Sequence, residues 1–133
     1  MSTLQNRFII VGGGIGGLAT ALGLAKHGVR SIVLEKAPKL GEIGAGIQLG
    51  PNAFHGFDYL RVGDKARKMS VYIDDLILMD AINGDEITRI ELGDKFRNKF
   101  KNPYAVVHRG DLHGVFLNAC KENNLIEMRT NTT

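Results

Sequence analysis

Gly12, Gly14 and Gly17 stand at the spacing G-x-G-x-x-G in a chain of 133 residues. Each has its own use in holding a pair of phosphates. Gly12 permits a tight turn out of a preceding strand, Gly14 lets bare backbone approach a pyrophosphate, and Gly17 lets the following helix pack closely on that strand. A helix opening near Ile15 would aim its free N–H groups and the positive end of its dipole at the phosphates. The spacing alone also describes a flexible loop, so its context matters. Glu35 follows Gly12 by 23 residues and ends a second apolar run, where a carboxylate accepts hydrogen bonds from a ribose hydroxyl pair. An acid there argues against a 2′-phosphate, hence against NADP in this site. FAD and NAD share the adenosine and pyrophosphate, so the glycine spacing does not separate them.

The elements that must position these residues are legible around them. Phe8 to Val11 is a continuous, β-branched apolar run, which predicts a strand covered on both faces and therefore central in a parallel sheet. Leu18 to Lys26 reads as a helix closed by Gly28, with Lys26 and His27 in its last turn. Ser31 to Leu34 is the second buried strand, completing a β-α-β unit of Rossmann-like α/β type. Lys39 to Gly50 carries Gly41, Gly44, Gly46 and Gly50 and reads as an extended loop lying close to something. Pro51 opens a short helix through Leu60, and a second runs from Gly63 to Met69. Val71 to Asp80 and Glu86 to Leu92 form strands of a hairpin around Asn83-Gly84, with Thr88, Ile90 and Leu92 on one face. Asp94 to Asn102 is a polar, basic connector before a strand at Tyr104 to His108. A final helix runs from Asp111, as N-cap, to Glu122, with Leu112, Val115, Phe116, Ala119 and Cys120 as its apolar stripe. Leu125 to Arg129 is expected as a third parallel strand.

Composition narrows the function classes. Hydrophobic residues make up 44% and charged residues 23%, as in soluble globular domains, while 17 glycines are nearly double the usual share of about 7% and most precede position 64. The net charge of +3 suits an anionic ligand and falls short of a nucleic-acid binder. One cysteine excludes an internal disulfide and points to a reducing compartment, the cytoplasm. No apolar run approaches the roughly 20 residues of a membrane span.

The second glycine segment carries a resemblance. Glu35-Lys36-Ala37-Pro38, then Gly41-Glu42-Ile43-Gly44-Ala45-Gly46-Ile47-Gln48-Leu49-Gly50-Pro51-Asn52-Ala53, resembles the class A flavoprotein monooxygenases, the single-component aromatic hydroxylases. The salicylate hydroxylase and 3-hydroxybenzoate 6-hydroxylase branch is the nearest, from Phe8 to the end of the chain. His108-Arg109-Gly110-Asp111-Leu112-His113 looks like that branch's strand-to-helix junction. The resemblance implies an FAD-binding domain like that of p-hydroxybenzoate hydroxylase, with an inserted β-hairpin, incomplete at 133 residues and inactive alone. It implies cofactor contacts from Gly12, Gly14, Ile15, Gly17, Glu35 and Lys36, with Gly46, Ile47 and Gln48 lining the flavin side and Arg109 at the ribityl or phosphate region. The implied reaction uses NADH or NADPH to reduce the flavin and O₂ to form a flavin hydroperoxide that hydroxylates an aromatic acid. The later Gly-Asp flavin segment, the substrate domain and the catalytic base of such enzymes are expected downstream of these residues, so no residue here is read as catalytic. The alternatives are a nucleotide-binding module without redox activity and another FAD oxidoreductase, of amine or amino-acid oxidase type.

Other polar clusters read more plainly. His108 and His113 lack a second ligand pair, so polar packing or capping is expected rather than a metal site. Asp74-Asp75 reads as a solvated bend, the run Lys95, Arg97, Lys99 and Lys101 between Phe96 and Phe100 as a solvated edge, and Cys120 as core.

Overall fold

The computed structural model describes residues 7–41 and 44–132, so Glu42 and Ile43 of the second glycine segment lie outside the described residues. Strand β1 (Phe8–Val11), helix α1 (Ile15–Lys26) and strand β2 (Ser31–Leu34) form the expected β-α-β unit. β1 and β2 pair in parallel from Phe8 opposite Ser31 to Val11 opposite Leu34. Strand β8 (Ile126–Arg129) pairs in parallel on the other side of β2, as the third strand read from the sequence. The helix ends as its sequence dictates. Gly28 takes φ +73°, a conformation open to glycine, and the N–H groups of Gly28 and Val29 close on Ala25 and Leu24.

Among the described residues the sheet order is β1-β2-β8, so β2 is flanked on both sides and β1 pairs on one side only, short of the doubly covered strand expected from its apolar run. Phe8, Ile9 and Val11 are 57%, 67% and 86% exposed, and only Ile10 packs against the core. A continuous apolar run thus marks a strand but does not say which neighbour covers it.

A second sheet holds strands β3 (Gly46–Leu49), β4 (Val71–Tyr72) and β7 (Ala105–His108), with β7 in the middle and both pairings antiparallel. The segment read as an extended loop therefore ends in a strand. The strand expected over Val71 to Asp80 is broken at Ile73 and Asp74: Val71–Tyr72 joins the second sheet, while β5 (Asp75–Met79) and β6 (Glu86–Glu91) form the hairpin, Gly84 adopting φ +77° in its turn. Of the face shared by Thr88, Ile90 and Leu92, only Leu92 is buried. Helices α2 (Pro51–Tyr59) and α3 (Gly63–Met69) stand where Pro51 and Gly63-Asp64 predicted them. The basic connector is instead a helix, α4 (Asp94–Phe100), closed by Lys101 at φ +62°. The rings of Phe96 and Phe100 meet at a tilt one turn apart, 4.6 Å between centroids, and Arg97 reaches Asp74 at 2.6 Å.

Helix α5 (Arg109–Lys121) begins two residues before the expected start, capped by the backbone of His108, so Asp111 lies in the first turn rather than at the cap. α1 and α5 pack together over the parallel sheet. Leu18, Ala21, Leu22 and Ala25 meet Leu112, Val115, Phe116 and Cys120 in one core with Val33 and Ile126. Phe116 continues that core toward α2 through edge-on ring contact with Phe57, which meets Phe54 in turn. Cys120 is fully buried beside Leu18 O, and burial pushes its thiol up to about 12, so it is core and not a nucleophile. No helix among the described residues is long and apolar enough to cross a membrane.

Candidate functional site: the glycine turn and its acid

The chain leaves β1 through Gly12, whose φ of +102° no side-chain-bearing residue adopts comfortably. Its N–H donates to Leu34 O at 2.7 Å, tying the turn to the end of β2. Five residues on, a Cβ at Gly17 would run into the carbonyl oxygen of Gly12. The third glycine is thus required by backbone contact between helix and strand, as the spacing predicts. Gly14 is the N-cap of α1 and Ile15 its first residue. The N–H groups of Ile15, Gly16 and Gly17 precede the first closed turn, Leu18 N–H being the donor to Gly14 O at 3.0 Å. Together they form a cradle of bare donors at the positive end of a 12-residue helix.

Glu35 stands at this cradle. Gly13 N–H donates to its Oε2 at 2.7 Å, and Ala37 N–H donates to its Oε1 at 2.9 Å. The Ala37 amide first and the Gly13 amide second hold the carboxyl below the usual glutamate value of 4.5. Each carboxylate oxygen keeps a further lone pair free to accept another hydrogen bond. Because the folded-state value is depressed, the stability this group contributes is present above pH 4.5 and lost as the pH falls through the lower folded-state value. Melting temperatures of the wild type and of Glu35→Gln across pH 3 to 7 should therefore differ by a constant amount well above pH 4.5 and converge progressively as the pH falls below it toward the depressed folded-state value. A constant difference across that range would contradict the arrangement.

The second glycine segment reaches the site through α5. Arg109 N–H donates to Ala45 O at 3.1 Å, and the Arg109 side chain lies over Gly44, where a Cβ would come within 2.8 Å of Arg109 Cβ. Gly46 and Gln48 are exposed, whereas Ile47, between them, packs against the core. Strand alternation separates the three, leaving only the backbone of Ile47 on the face of its neighbours. Gln48 Oε1 accepts from Tyr104 Oη at 2.6 Å. Lys36 is exposed just beyond Glu35.

One contact was not foreseen. His113, one turn after Arg109 on α5, is buried and places Nε2 2.7 Å from the carbonyl oxygen of Gly13. The signal in the sequence was a polar residue inside an apolar stripe, next to Leu112 and two before Val115. His108 lies 3.9 Å from Asp111 at the exposed start of the helix, and among the described residues no three His, Cys, Asp or Glu side chains gather as a metal site. Asp74 and Asp75 pair with Arg97 and Arg89. A surface hollow of about 470 Å³ lies between α3 and α5, lined by Lys65, Lys68, Met69, Val115, Asn118 and Lys121 among others. None of these belongs to the glycine turn.

A glycine turn between strand and helix, with an acid at the end of the next strand, is a dinucleotide-binding arrangement, and residues 10–69 match the NAD(P)-binding Rossmann-like domain family. The particular likeness is to aromatic-ring hydroxylases. The chain is 55% identical over 128 residues to 3-hydroxybenzoate 6-hydroxylase 1 of Aquipseudomonas alcaligenes, covering 96% of this chain and 32% of that protein. It is 54% identical to 3-hydroxybenzoate 6-hydroxylase of Klebsiella oxytoca, covering 95% and 32%. The p-nitrophenol 4-monooxygenase PnpA of Pseudomonas putida DLL-E4 superposes with a TM-score of 0.82 at 24% identity, over 95% of this chain and 32% of that one, and so shares its fold. The chain is similar to part of each of these proteins and spans about a third of the length of the curated relatives it matches.

Proposed function

We propose that this chain is the N-terminal, FAD-binding part of an NAD(P)H-dependent monooxygenase that hydroxylates a phenolic or aromatic acid with O₂. The observation that carries the reading is the 2.7 Å hydrogen bond from Gly13 N–H to Glu35 Oε2, which sets the phosphate cradle and the ribose acid side by side. The residues fit the cofactor. A Cβ at Gly17 would close the helix-strand approach that shapes the cradle, and the carboxylate at its lip accepts hydrogen bonds.

When bound, FAD supplies the redox and oxygen chemistry. The chain's own residues bind and orient it. The N–H groups from Gly14 to Gly17 take the pyrophosphate, Glu35 takes the ribose hydroxyls, and Lys36 adds positive charge nearby. Arg109 offers a charge-assisted fork to the phosphate or ribityl oxygens. Gly46, Gln48 and the backbone of Ile47 line the flavin side, where small residues let N–H groups approach a flat ring. The catalytic base and the ligands of the substrate carboxylate belong to parts of the whole protein outside this chain. The cytoplasm, where a lone buried thiol stays reduced, is the proposed compartment.

Titrating the apoprotein with FAD and with ADP tests the reading. Saturable quenching of flavin fluorescence supports it, whereas ADP binding without FAD binding points to a nucleotide module and rejects it. Glu35→Ala should weaken FAD binding by about tenfold to a hundredfold, the scale of a lost charge-assisted hydrogen bond. Unchanged affinity would remove the ribose assignment. For turnover of the whole protein, 3-hydroxybenzoate is the acid to assay first, given the names of the relatives.

A further inference from the structure

We propose that His113 is a positioning residue for the pyrophosphate: by holding the Gly13 carbonyl it turns the Gly14 N–H toward the phosphates. This rests on the FAD-binding reading above. His113 is 2% exposed, and its Nε2 stands 2.7 Å from Gly13 O. A carbonyl oxygen only accepts, so Nε2 carries the proton and the ring is held in that tautomer. Gly13 is thereby gripped at both ends, its N–H by Glu35 Oε2 at 2.7 Å and its C=O by His113.

The consequence follows from peptide geometry. No peptide bond among the described residues is cis, and in a trans peptide the C=O of one residue and the N–H of the next point in opposite directions. With Gly13 C=O drawn inward to α5, Gly14 N–H must face away from α5, at the lip of the cradle. A glycine pair left to itself populates many backbone states, so an unheld 13–14 peptide would present this donor only part of the time. Binding would then carry the ordering cost that preorganisation removes. His113 and Arg109 are also four residues apart on α5, hence neighbours on one face. The same helix turn that fixes Gly13 carries the arginine packed over Gly44. α5 thereby holds the two glycine segments in register.

The test pairs two polar variants. In His113→Gln the amide nitrogen takes the place of Nε2 and can still donate to Gly13 O. In His113→Asn it stops one bond short. Titration of the purified apoproteins with FAD should give near wild-type affinity for H113Q and a loss of about tenfold for H113N, as expected when a buried carbonyl loses its donor. A merely structural role predicts that both variants lose affinity in proportion to their fall in melting temperature, and that result, or no loss in either, overturns the proposal. A wild-type measurement stands independently of variant folding. The ¹⁵N spectrum should show the His113 ring protonated at Nε2, and the Gly14 amide should shift on adding FAD. A ring protonated at Nδ1 alone overturns the proposal. Wild-type protein that fails to bind FAD at all rejects the underlying function. Wild type that binds FAD while H113N binds equally well rejects only the role of His113.

Discussion

Valine at position 14 is expected to abolish dinucleotide binding while leaving the protein folded. The two effects separate because the Gly14 backbone, at φ −72° and ψ 178°, is a conformation that valine adopts readily. As N-cap of α1, Gly14 contributes no side-chain cap that could be lost. The branched side chain would instead stand between the N–H groups of the turn and any phosphate brought to them. Two charge-assisted hydrogen bonds of about 2 kcal/mol each would be forfeited, a loss of about a thousandfold in affinity. Fluorescence titration of G14V with FAD, beside a melting curve of the apoprotein, checks both halves. Retained affinity would remove the phosphate role of the turn.

Alanine at position 17 should do the reverse, striking the fold first. Its Cβ would collide with the carbonyl oxygen of Gly12, a backbone atom in a turn already fixed by the Gly12 to Leu34 hydrogen bond. Neither partner has a flexible side chain to move aside, so α1 must tilt away from β1. The helix carries Leu18, Ala21, Leu22 and Ala25 into the core against α5, and tilting it loosens that packing. A loss of about 3 kcal/mol is expected, the upper end for overpacking, with a fall in melting temperature of about 10 °C for a domain of this size. Thermal unfolding followed by circular dichroism measures it. A melting temperature within a degree or two of wild type would show that the close approach is not required.

The contrast between these variants reflects what the sequence could and could not reveal. The β-α-β unit was legible because its constraints are local. A glycine must occupy a positive φ at position 12, another must admit a helix at 17, and an acid must end the next strand. β3 was not legible, because its hydrogen-bond partner β7 lies more than fifty residues away and Gly44, Gly46 and Gly50 gave a loop composition. Helix α4 was hidden for a similar reason. None of its seven residues is buried, and what holds it is the Phe96–Phe100 pair together with an ion pair to Asp74, a tertiary contact. Within the site, polar packing of His113 was legible from its type, but its partner was not, being a main-chain carbonyl a hundred positions earlier.

The most direct measurement is a crystal structure of the protein with FAD bound. The account predicts the pyrophosphate within hydrogen-bond distance of the main-chain N–H groups of residues 14 to 17, and the adenosine ribose on the carboxylate of Glu35. FAD lodged elsewhere, with the glycine turn facing solvent or filled by the chain's own side chains, would contradict it.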